Sequence, residues 1–248
     1  MAGTAVLGRL TWRVADVVDV RAETPRAATL VFDVPGWAGH RAGQHVDVRL
    51  TAEDGYQTQR SYSISSAPDG TRIALTVVHV EDGEVSPYLT RELRPGDQIE
   101  LRGPVGGYFV WEPEDGGPLL LVGGGSGLAP LMAMVRLRAA VGSDAETRLL
   151  VSSRSWEDVL YRAELERLAG DGLTVVHTLT ASRPPGWTGY ARRVDADMLA
   201  EIGPGPAARP RVFVCGPTPF VEVVAEALVT LGHEPRRIKT ERFGPTGD

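Results

Sequence analysis

Two stretches of the 248-residue chain carry residue types that filling a core does not require. The first is RSYSISSAP, residues 60–68, which places Arg60, Ser61, Tyr62 and Ser63 on what reads as a strand end. A strand that only packs needs neither a cation nor a run of hydroxyls, so this one reads as a holder of something polar. The second is LLLVGGGSGLAPLMAMVR, residues 119–136. Here Gly123, Gly124, Gly125, Ser126 and Gly127 stand between an apolar strand and a helix. Glycines allow tight turns and let a phosphate approach the backbone. The helix that follows offers unpaired N–H groups and the positive end of its dipole to an anion. The G-x-G-x-x-G dinucleotide fingerprint is not met, because Leu128 and Pro130 occupy the places of its third glycine. The loop reads as a phosphate cradle of another class, in preference to a plain strand–helix turn, because it ends the first parallel strand, where open sheets bind ligands.

Further candidates lie at predicted strand ends. The second strand of the C-terminal half ends in VSSRS. An acid at such a place accepts from a ribose 2′-OH and selects NAD, whereas a cation suits the 2′-phosphate of NADP. Ser152, Ser153 and Arg154 stand there, with Arg162 in the next helix and no acid before Trp156, which favours NADPH. Cys215, Gly216 and Pro217 follow the fourth strand of the same half, and open parallel sheets bind ligands at such carboxyl ends. EDGEVSPYL reads as a turn, with Ser86 as helix N-cap and Pro87 at the first helical position.

Other chemistries are excluded. A single cysteine permits no intrachain disulfide and no cluster held by four thiolates. The histidines at 40, 45, 79, 177 and 233 lack ligand spacing, so no metal site is expected. A net charge of −6 argues against a nucleic-acid partner. No apolar window approaches the ~20 residues that span a bilayer, and the N-terminus lacks the pattern of a signal peptide. A soluble, cytoplasmic protein is expected, with no membrane partner.

The elements that position these residues follow two grammars. Residues 8–112 read as short β-branched strands separated by Gly, Pro and Asp clusters, with one helix around SPYLTREL, which suggests an antiparallel barrel. Residues 118–248 alternate strands with helices, which implies a parallel sheet wrapped by helices. PLLLVGGG is a continuous apolar run, as in a strand buried on both faces. The expected helices include DVLYRAELERLA, and the linker is VWEPEDGGP, residues 110–118. The fold class is a two-domain chain, barrel then α/β nucleotide-binding domain, with ligands in the cleft between them.

RSYS (60–63), GEVS (83–86), GGGSGLAP (123–130), VFVCGP (212–217) and ERFG (241–244) occur in the order and spacing of one known pattern. The chain resembles the ferredoxin–NADP(+) reductase family of flavoproteins from about residue 8 to 244. The resemblance implies a flavin-binding barrel and FAD as cofactor, with FMN as the alternative. Arg60 would pair with the flavin phosphates, Tyr62 would stack on the flavin ring, and Ser63 would hydrogen-bond near its hydride-accepting nitrogen. Ser61 and Val85 would join this set. Gly83 and Ser86 would face the flavin diphosphate, and His79 and Val80 would line the cofactor through their backbones. Gly124, Gly125, Ser126 and Gly127 would take the nucleotide diphosphate, and Ser153, Arg154 and Arg162 its 2′-phosphate. Gly216 and Pro217 would flank the nicotinamide, with Cys215 at the site of hydride transfer. Glu241 would be a nearby acid, and Phe243 would either cover the flavin or anchor the tail. Ser63, Cys215 and Glu241 are thus the catalytic candidates.

The implied activity is hydride transfer from NADPH to FAD, then single-electron transfer to a separate carrier: a ferredoxin, a flavodoxin or an oxygenase component. Arginines 41, 60, 91, 94, 192 and 193 are candidates for its docking patch. Two alternatives stay open: an electron-transfer subunit of a larger complex, and a flavin or dye reductase acting on small acceptors. Tyr56, Tyr88 and Trp111 are candidate stackers for an adenine.

Overall fold

A computed structural model describes residues 10–243. Its first six strands are β1 (Trp12–Thr24), β2 (Ala27–Asp33), β3 (His45–Thr51), β4 (Gln57–Ser63), β5 (Arg72–Val78) and β6 (Gln98–Val105). They form one antiparallel sheet in the order β4-β3-β6-β1-β2-β5. The end strands β4 and β5 meet through a bridge between Ile64 and Leu75, which closes the sheet into the expected barrel. Alternation sends Val46 and Val48 of β3, Leu30 and Phe32 of β2, and Ile99 and Leu101 of β6 into one core. Below the Ile64 bridge the facing edge of β4 has no strand partner in the sheet.

The segment after β5 departs from expectation. In place of a regular helix capped by Ser86, a π-helical turn spans Tyr88–Glu92. The Leu93 N–H donates five residues back to the Tyr88 carbonyl at 3.1 Å. The Thr90 hydroxyl donates to the Ser86 carbonyl at 2.7 Å, a side-chain bond that competes with the regular helical ladder. Ser86 does not cap: its Oγ accepts from the Val80 N–H at 3.1 Å and so ties the 80–86 turn shut.

The second sheet contains β7 (Leu119–Gly124), β8 (Thr147–Ser153), β9 (Leu173–Leu179), β10 (Arg211–Pro217) and β11 (Ile238–Phe243). All pairs are parallel, in the order β11-β10-β7-β8-β9. Helices α1 (Leu128–Ala140), α2 (Arg162–Leu168), α3 (Ala196–Ile202) and α4 (Thr218–Thr230) connect them. β7 is buried at every position, as its apolar run requires. Two details differ from the sequence reading. α2 starts at Arg162, not Asp158, because Tyr161 sits at φ 54°, outside the helical region. β11 was not foreseen: it is an end strand with only Ile238 buried, so IKTERF shows no apolar run.

Packing ties the two sheets together. α1 is buried on most of its surface, in a core that also takes Ala27, Ala42, Phe109 and Trp111 from the barrel side and the linker. Trp111 is therefore core, not a stacker for an adenine. Lys239, the only lysine in the sequence, reaches from β11 to the Val110 carbonyl at 2.9 Å and stands 5.3 Å over the Phe213 ring. The Tyr108 hydroxyl donates to the Ile238 carbonyl at 3.3 Å.

Candidate active site

The parallel sheet runs outward in opposite directions from β7 and β10, so the crevice between their carboxyl ends is its switch point. The glycine loop lies there. β7 ends at Gly124, a single 3-10 turn covers Gly125–Gly127, and α1 follows with no side-chain cap on its first N–H groups. Gly125 needs its left-handed φ of 55°. Gly127 needs its missing side chain, since a Cβ there would lie 2.2 Å from the Cys215 carbonyl oxygen. The loop is thus pressed flat against the start of the Cys215–Gly216–Pro217 segment, with open N–H groups and Ser126 half-exposed. This arrangement fits a phosphate.

Cys215 is fully buried, and burial pushes its thiol well above the ordinary value, with the Glu241 charge adding to the effect. Parallel register sets Glu241 beside Cys215 and Phe243 beside Pro217. Burial pushes the Glu241 carboxyl up to about 7. Its Oε1 lies 3.7 Å from Nδ1 of His45, and its Oε2 is buried without a hydrogen-bond partner. His45 stands opposite Ser63 across the β3–β4 pair. The Ser63 Oγ is likewise buried and unpartnered. Burial pushes His45 below its ordinary range, so near neutral pH the imidazole is uncharged and the contact with Glu241 is not an ion pair. Ser63 and His45 come from the barrel, Glu241 and Cys215 from the sheet, and the His45–Glu241 contact bridges them.

His45 escaped the sequence reading. The signal was the hairpin register: Thr51 pairs with Gln57 across the turn, which carries His45 to Ser63 at the far end. Nothing in GQHVDVRL itself marks the residue.

Along β4, Thr58, Arg60 and Tyr62 share one face. The Arg60 guanidinium lies 3.3 Å from the Glu84 carboxylate, which also accepts from the Tyr56 and Thr58 hydroxyls at 2.9 and 3.0 Å. Tyr62 packs on the barrel core, and burial pushes its hydroxyl up to about 12. Ser61 points the other way and donates to Asp47 at 2.7 Å, so only its backbone is left for a ligand on the Tyr62 face. Val85 is buried in the barrel core. The His79 and Val80 N–H groups are already used by the Arg26 carbonyl and Ser86 Oγ. Gly83 closes the same turn; a Cβ there would lie 2.9 Å from Ser86 Oγ. An open strand edge flanked by Arg60 and Tyr62, with orphaned polar atoms of Ser63 and Glu241 at its end, fits a flat, phosphate-bearing cofactor.

At the end of β8, Ser153 is buried and Arg154 exposed. The Arg154 carbonyl accepts from the Ala181 and Ser182 N–H groups, which fixes the backbone beneath the side chain. Arg162 turns onto Trp156, 5.4 Å from its ring. Phe243 is half-buried and packs on the α1-side core. Of the six candidate docking arginines, Arg60 pairs with Glu84, Arg192 with Asp195, and Arg41 lies 3.9 Å from Glu112.

Comparison with known proteins agrees with this geometry. Residues 15–110 match the family described as Oxidoreductase FAD-binding domain, and residues 121–226 match Oxidoreductase NAD-binding domain. Ferredoxin–NADP reductase B of Sorangium cellulosum is 36% identical over 240 residues, covering 92% of this chain and 96% of that protein. The chain belongs to the ferredoxin–NADP(+) reductase family. Like its relatives it is an oxidoreductase that binds FAD and a pyridine nucleotide. A second family relative, the glycine betaine monooxygenase reductase subunit of Pseudomonas aeruginosa, is 33% identical over 237 residues. That match covers 92% of this chain but 63% of the subunit, so the chain spans under two thirds of that relative. Among solved structures, the flavohem-like FAD/NAD binding domain of nitric oxide dioxygenase from Vibrio cholerae superposes with TM-score 0.84 at 25% identity. It covers 94% of this chain and 99% of that one. Among the described residues, no helix is long and apolar enough to cross a membrane.

Proposed function

We propose that this reductase takes hydride from NADPH and delivers single electrons to a separate carrier protein, either a ferredoxin or an oxygenase component. The observation that carries the reading is the bridge at the cleft: buried, unpartnered Ser63 and Glu241 joined through His45, beside the glycine loop. The chain divides into a cofactor barrel over 8–112 and a nucleotide domain over 118–248. FAD, when bound, supplies hydride acceptance and one-electron release. The protein's part is to hold, orient and exclude water. Arg60 takes the flavin phosphates, with the 83–86 turn beside them, and Tyr62 offers a flat face. Ser63 Oγ donates or accepts at the reacting edge. Glu241, poised near neutrality, holds or releases a proton at Oε2. Cys215 stays a neutral thiol, a small wall beside the nicotinamide. Gly124, Gly125, Ser126 and Gly127 take the nucleotide diphosphate.

The choice of NADPH rests on the exposed Arg154 with Ser153 behind it, and on the name of the Sorangium relative. The two relatives' names support a protein acceptor, one a ferredoxin and the other a monooxygenase. The second also supports a standing complex as the alternative arrangement. The test is an anaerobic titration of the flavin-loaded protein with each nucleotide, followed at the visible flavin band. NADPH is expected to bleach it at far lower concentration than NADH. Arg154→Ala should raise the NADPH requirement about tenfold, as for one charge-assisted bond, and leave NADH unchanged. Bleaching by NADH alone would sink the NADPH assignment while leaving the reductase reading intact.

A further inference from the structure

The serine-rich stretch has a second half that the flavin reading leaves unused. Beyond Ser63 the chain turns inward. Ser65 is fully buried, its N–H and hydroxyl both reach the Ala74 carbonyl, and Ser66 Oγ accepts from the Ala74 N–H. The Ser65 carbonyl accepts from Nη1 of Arg136 at 2.6 Å. Arg136 belongs to α1, the helix that begins at the glycine loop. Its other nitrogens fork onto Glu164 of α2 at 3.0 and 2.6 Å. The guanidinium also stands 4.9 Å over the ring of Tyr161.

Tyr161 is itself unusual. It holds a left-handed φ of 54°, a conformation that a bulky residue keeps only when its surroundings impose it. It is buried, and its hydroxyl faces the Thr76 and Ser65 hydroxyls without a closed hydrogen bond. On the barrel side the chain of hydroxyls continues through Thr76 and Thr29 to Glu23. One arginine therefore joins the segment that follows Ser63 to both the glycine-loop helix and the helix after Tyr161. Tyr108, Lys239 and His45 make ties of their own to or from β11, and Arg211 of β10 binds Asp115 of the linker. Beside the apolar contacts of Ala27 and Ala42, Arg136 is a polar fastener on the α1 side of the cleft.

We infer that Arg136, with Tyr161 beneath it, is a positioning residue that sets the distance between the flavin on the barrel and the nicotinamide on the sheet. The inference rests on the reductase reading above. Hydride transfer requires the reacting atoms within about 3.5 Å, and a misplacement of about 1 Å costs on the order of a hundredfold in rate. Arg136 touches neither the Ser63 hydroxyl nor the glycine loop. Its loss should leave flavin affinity alone and act on geometry.

The test uses the flavin-loaded full chain with Arg136→Met, Arg136→Lys and Tyr161→Phe. Stopped-flow bleaching at saturating nucleotide gives the limiting transfer rate, and the long-wavelength charge-transfer band reports ring stacking. For Arg136→Met, a limiting rate at least tenfold lower with a weakened band is expected, while flavin dissociation constant and nucleotide KM stay within twofold. Arg136→Lys should recover part of the rate, because it can still donate to the Ser65 carbonyl. A full limiting rate and an intact band in Arg136→Met would overturn the inference. Spin labels at D69C and E222C supply a measurement independent of turnover. A broadened label distance in Arg136→Met supports the clamp, and an unchanged distance overturns it even if Arg136→Met binds flavin poorly. A wild-type chain that neither nucleotide bleaches would instead overturn the functional reading.

Discussion

Glu241 carries its charge at a cost. Burial lifts its carboxyl from 4.5 to about 7, and the neighbouring His45, itself pushed down, supplies no positive charge near neutral pH. The folded-state value lies above the unfolded one. The stabilising contribution is therefore full below about 4.5 and is lost as pH rises through about 7. At ~1.4 kcal/mol per unit, the loss is bounded at roughly 3.5 kcal/mol. Glu241→Gln should remove this slope: its melting temperature, compared with wild type from pH 4.5 to 8, should gain on the high side and not the low. If the two curves run parallel, the carboxyl is not the titrating group. The grouping of Ser63, Cys215 and Glu241 at one cleft was legible from motifs, since each sits in a patterned segment. His45 was not, because its partner lies across a hairpin and only strand register connects them. Ser61 has only its backbone to offer a ligand on the Tyr62 face, because strands alternate and its hydroxyl falls on the Asp47 side.

The glycine loop shows how two glycines in one element answer different needs. Gly125 is required for its dihedral, with open space where a Cβ would go. Gly127 is required for its size, against the Cys215 carbonyl. Gly125→Ala should therefore cost about 1 kcal/mol, the price of a left-handed alanine. Gly127→Ala should cost about 3 kcal/mol or more, because backbone has to move. Denaturant unfolding of both variants checks the ranking; equal costs would mean that the loop relaxes freely. The buried strand β7 was plain in the sequence, because an all-apolar run has few other homes. The start of α2 was not, because the helical period runs back through Tyr161, whose left-handed φ comes from its tertiary surroundings. β11 was hidden because an end strand needs few apolar residues to be held, and the π-turn because a threonine hydroxyl decides it.

At the scale of the molecule, the two grammars of the sequence do not correspond to two independent cores. Phe109 and Trp111 leave the barrel and enter the core under α1, together with Ala27 and Ala42. Calorimetry of the whole chain should accordingly show one cooperative transition, with equal calorimetric and van't Hoff enthalpies, where separable domains would give two. The passage from an antiparallel sheet to a parallel one was legible as a change in strand and helix pattern. The sharing was not, because burial of a linker tryptophan depends on what packs over it. Lys239 adds a practical consequence. It is the chain's one lysine, and it stands in the strand that holds Glu241 and Phe243, its amine engaged by a carbonyl of the linker. Amine-directed chemistry therefore has a single internal address in this protein. The amine is half-buried and bonded to that carbonyl, so acylation of one side chain should quicken when the last strand lets go of the linker and so keep time for the opening of the cleft.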